Sequence, residues 1–94
     1  MEMKFDWNPT KAKDNVIKHG VSFGEAATAF RDPFSSLIPD TVHSATEERS
    51  LLLGLSKRRR LLVIVHVDRG EIVRIISARL ATANEKRNYE EDQL

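Results

Sequence analysis

The chain contains no cysteine among its 94 residues, which excludes a disulfide framework, a thiolate zinc site and a cysteine nucleophile. No segment approaches the ~20 apolar residues of a membrane span, and the opening MEMKFDW lacks the apolar run of a secretory signal. A cytoplasmic protein without membrane contacts is therefore expected. Glycine is scarce, with four residues, and none builds a phosphate-cradling loop; Gly20 and Gly24 read as helix punctuation. The three histidines, His19, His43 and His66, show no HxH, HxxxH or HExxH spacing, so no metal site and no cofactor are expected. Repeats, linkers and low-complexity stretches are also missing. Residues 1–94 read as one small domain, able to bury roughly two-thirds of its unfolded surface.

Charge of one sign does not dominate, with fifteen basic and fourteen acidic residues, yet its distribution is uneven. Basic side chains concentrate at positions 57–60, 69, 74 and 79, and nucleic-acid binding depends on where charge sits more than on its sum. For Lys57-Arg58-Arg59-Arg60 alone, a solvated turn that keeps a sheet edge soluble is the simpler account.

What is plentiful is Leu, Ile and Val between Glu48 and Arg79. Three apolar runs, Ser50 to Ser56, Leu61 to Val67 and Glu71 to Arg79, are joined by the basic turn and by Asp68-Arg69-Gly70. They read as antiparallel neighbours, the middle one covered on both faces. Upstream, Lys4 to Trp7 alternates as a short strand. Asn8-Pro9 then caps a helix over Thr10 to His19, with Ala12, Val16 and His19 as its apolar stripe, Ile17 widening it, and Gly20 as its stop. Ser22 and Glu25 form a capping box for a second helix, lined by Phe23, Ala26, Ala27 and Phe30 and ended by Asp32-Pro33. Phe34 to Ile38 reads as a further strand or extended edge closed by Pro39. Asp40 to Glu47 reads as a polar turn carrying an exposed His43. Thr82 to Glu85 repeats the capping box and starts a last helix to about Asp92, weakly apolar and expected to be loosely anchored.

The candidate chemistry lies on the sheet. Alternation puts Ser77 and Arg79 on one face and Arg74 on the other. A two-residue Arg69-Gly70 loop places His66 with Ser77 and Arg79; a three-residue loop places it with Arg74. Either way an imidazole shares a face with a guanidinium, a pairing suited to phosphoryl chemistry on RNA. A base takes the 2′-hydroxyl proton there while cations stabilise the crowded phosphorane. The opposing account is structural: a packed histidine with one nitrogen satisfied, and arginines held in ion pairs, with Glu48 or Glu71 as partners.

Three stretches, FDWNPTKAKDNVIKHGVSFGEAATAFRDP, HSATEERSLLLGLSKRRRLLVIVHVDRG and VRIISARLATANEKRNYE, together resemble the BrnT family of bacterial toxins over roughly Phe5 to Glu90. The departures are Asn8, where Asp is frequent, and Leu80, where a second basic residue often follows Arg79. The resemblance implies a RelE-like α+β fold: a small antiparallel sheet packed with an N-terminal helical hairpin and a C-terminal helix. It implies a metal-independent endoribonuclease toxin of a type II toxin–antitoxin module that cleaves mRNA and inhibits translation. The implied partner is a BrnA-like ribbon-helix-helix antitoxin, with operator DNA reached only through it. Among the matching positions are Lys18 and His19. The implied catalytic residues are His66, Arg79 and Glu48, with Arg79 stabilising the transition state and His66 acting as general acid or base. The implied RNA contacts are Lys11, Arg49, Lys57, Arg58, Arg59, Arg60, Arg74 and Tyr89, Tyr89 by stacking on a base. A non-catalytic module that binds the antitoxin and takes part in operator binding is the alternative.

Overall fold

The computed structural model describes residues 3–40 and 48–93. Apart from Asp40, the polar turn expected up to Glu47, His43 included, falls outside them. The elements are β1 (Lys4–Asp6), α1 (Pro9–His19), α2 (Phe23–Ala29), β2 (Ser36–Asp40), β3 (Arg49–Leu55), β4 (Leu61–Arg69), β5 (Ile72–Leu80) and α3 (Ala83–Glu91). They build one α+β unit around a five-stranded sheet in the order β1-β5-β4-β3-β2. Neighbours are antiparallel except β1, which runs parallel to β5 through Lys4↔Ile72, Phe5↔Val73 and Asp6↔Arg74. The all-antiparallel expectation is corrected at that edge.

Local chemistry sets the helix ends. The Asn8 side chain accepts from the Thr10 and Lys11 amides at 2.9 and 3.1 Å, and Gly20 takes the left-handed conformation (φ 67°) that closes α1. Ser22 Oγ accepts from the Glu25 amide at 3.0 Å. The second arm of that expected capping box is diverted, because the Glu25 carboxylate is taken by Ser56 and Arg60. Helix α2 ends at Ala29, with Phe30 as its cap, before Asp32-Pro33. Gly54 in β3 lies directly under that end: a Cβ there would stand 2.9 Å from the Ala29 carbonyl oxygen. In α3, Thr82 and Glu85 form both arms of the capping box.

The main core lies between α1, α2 and one sheet face, where Val21, Phe23, Ala26, Leu62, Ile64 and Ile75 are buried. Of the apolar stripe expected on α1, Ala12 packs against the core, but the rest of it is not the buried face. Val16 is half exposed and Ile17 is 80% exposed, whereas polar Asn15 is buried. The reason is hydrogen bonding. β1 pairs with β5 only as far as Arg74, so the edge of β5 beyond it needs other partners. Asn15 Nδ2 donates to the Ala78 and Val21 carbonyls, both at 2.8 Å, and Asn15 Oδ1 accepts from the Ala78 amide at 3.1 Å. One carboxamide thus substitutes for a strand at the free edge. On the opposite face, Tyr89 of α3 packs with Leu53 and Val63 in a second, smaller cluster.

The β4–β5 hairpin closes through Gly70-Glu71, with Arg69 facing Ile72 and Gly70 left-handed (φ 66°). His66 faces Ile75, but Val65 faces Ser77, so Ile76 is an extra residue in β5, a bulge. A one-residue insertion inverts the face of every side chain beyond it. Neither register expected from sequence includes this, and the arrangement of the site follows from it.

Candidate active site

Two faces of one sheet carry different chemistry. His66 shares the α1/α2 face with Ile64 and Ile75 and is 2% exposed. Its ring meets Phe30 edge-on, centroids 4.9 Å apart, and Nδ1 lies 3.2 Å from Asp68 Oδ1. Burial holds the imidazole pKa below its ordinary value, against the pull of the Asp68 carboxylate, and Nε2 is buried without a hydrogen-bond partner among the described residues. The expected pairing of this imidazole with a guanidinium on one face is therefore corrected. The bulge puts Arg74 opposite Val67 and Arg79 opposite Val63, both on the face away from His66.

That second face gathers the arginines. Ser77 pairs with Val65 and Val65 with Leu51, giving a half-buried floor with a hydroxyl at one end. Arg79 stands on one side of this row and Arg74 on the other, and alternation from Leu51 puts Arg49 on the same face. Helix α3 covers part of the face. Beside it runs a groove of about 110 Å³, floored by Leu51, Leu53 and Val63 and walled by Glu85 and Asn88.

The guanidinium groups are held by carboxylates. Arg79 donates through Nη1 to Glu85 Oε1 at 2.8 Å and through Nη2 to Oε2 at 2.9 Å, and this fork holds the Glu85 pKa down at about 2. Arg74 Nη1 lies 3.1 Å from Asp6 Oδ2 on β1. The partners named from sequence were Glu48 and Glu71; the carboxylates found on Arg79 and Arg74 are Glu85 and Asp6. Glu48 is exposed one residue before β3, and Lys11 is exposed on α1.

The basic turn divides in two. Lys57, Arg58 and Arg59 are exposed, with Arg59 left-handed (φ 62°). Arg60 is tied to the buried Glu25 carboxylate through Nη2 and, at 2.9 Å, through Nε, and to the Gly20 carbonyl at 3.0 Å. These contacts, Arg60 foremost, hold Glu25 below the usual carboxylate range. Arg60 therefore fastens the turn to α2.

Tyr89 is also committed elsewhere. Its ring is buried, and its hydroxyl donates to Asp32 Oδ2 at 2.5 Å; burial and the Asp32 carboxylate raise its pKa to about 12. With the Glu85–Arg79 pair this anchors α3 at two points, more firmly than its sparse apolar content led one to expect. Asp32, Glu25 and Glu85 escaped the sequence reading as site-shaping residues, because a carboxylate's distant partner leaves no local signal. Among the described residues, no group of three or more His, Asp or Glu side chains is arranged to hold a metal ion, and no helix is long and apolar enough to cross a membrane.

The chain is a small α+β domain, with α1 and α2 on one face of its sheet and, on the other, α3 beside a row of arginines around a hydroxyl. Residues 7–85 match the family model of the ribonuclease toxin BrnT of type II toxin–antitoxin systems, and the chain belongs to that family. The fold is similar to the 1.1 Å crystal structure of the ribonuclease toxin BrnT of Brucella abortus, with a TM-score of 0.67 and 20% identity over 86% of this chain and 99% of that one. No curated protein matches the sequence.

Proposed function

We propose that this protein is an endoribonuclease toxin that cleaves mRNA on the arginine-bearing sheet face, and that a BrnA-like ribbon-helix-helix antitoxin neutralises it. The observation that carries the reading is the shared face of Arg49, Arg74, Ser77 and Arg79, within a family of ribonuclease toxins. Guanidinium forks match phosphate oxygens and concentrate positive charge where a phosphorane develops. Arg79 stabilises that charge, Arg49 and Arg74 hold the flanking backbone, and the Leu51–Val65 floor receives an unstacked base. Glu48, one residue before β3, falls by the same alternation on the side of His66 and is given no role on this face. Lys57, Arg58 and Arg59 attract RNA at longer range, and Lys11 extends this field. We assign His66 a packing role behind the sheet, because its buried ring lies on the opposite face. The chemistry proceeds without a metal ion, the cations being supplied by side chains.

The test is cleavage of an RNA oligonucleotide by the purified protein in excess EDTA, beside Arg79→Ala and His66→Gln. The expected result is cleavage that survives EDTA, persists in folded His66→Gln and falls about 10- to 100-fold or more in Arg79→Ala, the loss of a charged hydrogen bond in the transition state. Wild-type cleavage by Arg79→Ala refutes the site. Activity that requires a divalent ion refutes metal independence alone. If neither free RNA nor a translating extract is affected, the protein is a non-catalytic antitoxin-binding module whose contact with operator DNA runs through the antitoxin.

A further inference from the structure

We infer that Glu85 is the positioning residue for Arg79, so that the first turn of α3 is part of the RNA-cleaving site. This rests on the reading of Arg79 as a phosphate ligand.

The geometry of the guanidinium carries the argument. An arginine has five N–H donors in a rigid plane. Here the end-on pair is bound to Glu85, at 2.8 and 2.9 Å. The second N–H of Nη1 reaches the Leu80 carbonyl at 3.2 Å. Among the described residues nothing takes the Nε–H or the other Nη2–H. Those two are parallel and lie on one edge of the plane, the edge that binds two oxygens of a phosphate side-on. Glu85 and Leu80 thus fix the plane and leave its phosphate-binding edge open, on a side chain 41% exposed.

Glu85 is itself fixed. Its Oε1 also accepts from the Thr82 amide at 2.8 Å, and its own amide donates to Thr82 Oγ1 at 3.2 Å. A residue that caps α3 therefore also sets the orientation of Arg79. The carboxylate remains ionised across the pH range of any RNA assay, its pKa lying near 2. Misplacing a reacting or binding group by an ångström can cost about a hundredfold in rate, so the expected consequence of losing the contact is kinetic. The competing account makes Glu85 a shield that occupies Arg79 and weakens RNA binding; it predicts the opposite sign.

The experiment measures kcat and KM on an RNA oligonucleotide for the full chain and for Glu85→Ala, Glu85→Gln, Thr82→Ala and Arg79→Ala. Positioning predicts that Glu85→Ala lowers kcat about 10- to 100-fold without raising KM, and that Glu85→Gln, which keeps one acceptor for Arg79, recovers part of it. Thr82→Ala removes the hydroxyl cap but keeps the Glu85–Arg79 contact and the Thr82 amide on Glu85 Oε1, and it lowers kcat far less than Glu85→Ala. In the NMR spectrum of the free protein, the Arg79 Nη protons are resolved by hindered rotation and merge in Glu85→Ala. Unchanged or raised kcat in Glu85→Ala overturns the inference, as does an equal loss in Thr82→Ala, which would trace the effect to fraying of α3. Merged Nη signals in the wild-type protein overturn it without reference to activity. Wild-type cleavage by Arg79→Ala instead overturns the reading of the site, whatever Glu85 does.

Discussion

Replacing Asn15 with leucine should be the most damaging near-isosteric change on α1, although it makes the helix more apolar. The substitution removes three hydrogen bonds, of 2.8, 2.8 and 3.1 Å. It leaves the Ala78 amide and the Ala78 and Val21 carbonyls without that partner, in a region where Asn15 is 6% exposed. A buried polar group left unsatisfied costs about 1–3 kcal/mol, so three give about 3–9 kcal/mol before relaxation. Burial of the leucine returns about 1.5–3 kcal/mol. The midpoints of these ranges leave a net loss of about 3–4 kcal/mol, a large part of the roughly 5–15 kcal/mol available to a domain. Urea denaturation followed by circular dichroism measures it directly, with Ile17→Ala as the control, since Ile17 is 80% exposed and should change stability by no more than about 0.5 kcal/mol. A domain of this size should lose at least about 12 °C in Tm, at about 4–8 °C per kcal/mol. If Asn15→Leu stays within about 1 kcal/mol of wild type, or costs less than Ile17→Ala, then Asn15 does not hold the β5 edge and the account of α1 is wrong.

Three further outcomes follow from side chains already placed. Burial lowers the His66 pKa below 6.5, so the unfolded chain binds a proton there that the folded chain resists. Stability should therefore fall as pH drops from about 6.5 downward. Denaturation midpoints at about pH 8 and about pH 5.5 should show a drop in wild type that is smaller in His66→Phe; equal drops would contradict the neutral, buried imidazole. Tyr89→Phe removes the hydroxyl that donates to Asp32 and should cost about 1.5–3 kcal/mol, the range for a hydrogen bond to a charged group. Faster proteolysis within α3 should accompany it, and unchanged proteolysis would mean that α3 is held elsewhere. Gly54→Ala pushes a methyl to 2.9 Å from the Ala29 carbonyl oxygen and 3.2 Å from Ser35 Cβ. Because the first contact is backbone, the expected loss is about 1–3 kcal/mol in a denaturation curve, and a neutral substitution would show that α2 can lift away from β3.

Much of the fold was legible because its signals are local. Asn8-Pro9, Gly20, Ser22 and Thr82–Glu85 announce helix ends through hydrogen bonds within a few residues, and the structure uses them as caps. The Leu, Ile and Val runs announce β3, β4 and β5 because a doubly covered strand has few polar positions to spare. The arrangement of the site was less legible. Period-two alternation assigns faces only while the count is unbroken, and the extra Ile76 in β5 moves Ser77 and Arg79 to the face of Arg74 and away from His66. Nothing in IVRIISAR marks that insertion. The stripe on α1 misled for a related reason: Val16 and Ile17 obey helical spacing, but the neighbouring edge of β5 requires donors and an acceptor. Asn15 supplies them, while Val16 and Ile17 face outward. Long-range carboxylate partners, Asp6 for Arg74 and Glu85 for Arg79, depend on the folded register and have no sequence signature of their own.

The parallel pairing of β1 with β5 has a consequence for synthesis. Lys4 to Asp6 emerges from the ribosome early, yet its partners are Ile72 to Arg74, and Asn15 waits for Ala78. Closing so long a loop is entropically costly and slow compared with local contacts. Until β5 has emerged, α1 has no strand to cover and Arg74 and Arg79 have not been translated. The arginine-bearing face is therefore completed late, when Arg74 and Arg79 join the side of the sheet that already carries Arg49, Leu51 and Val65. A nascent chain that stops short of β5 carries the Leu51–Val65 floor but neither of the arginines that flank it.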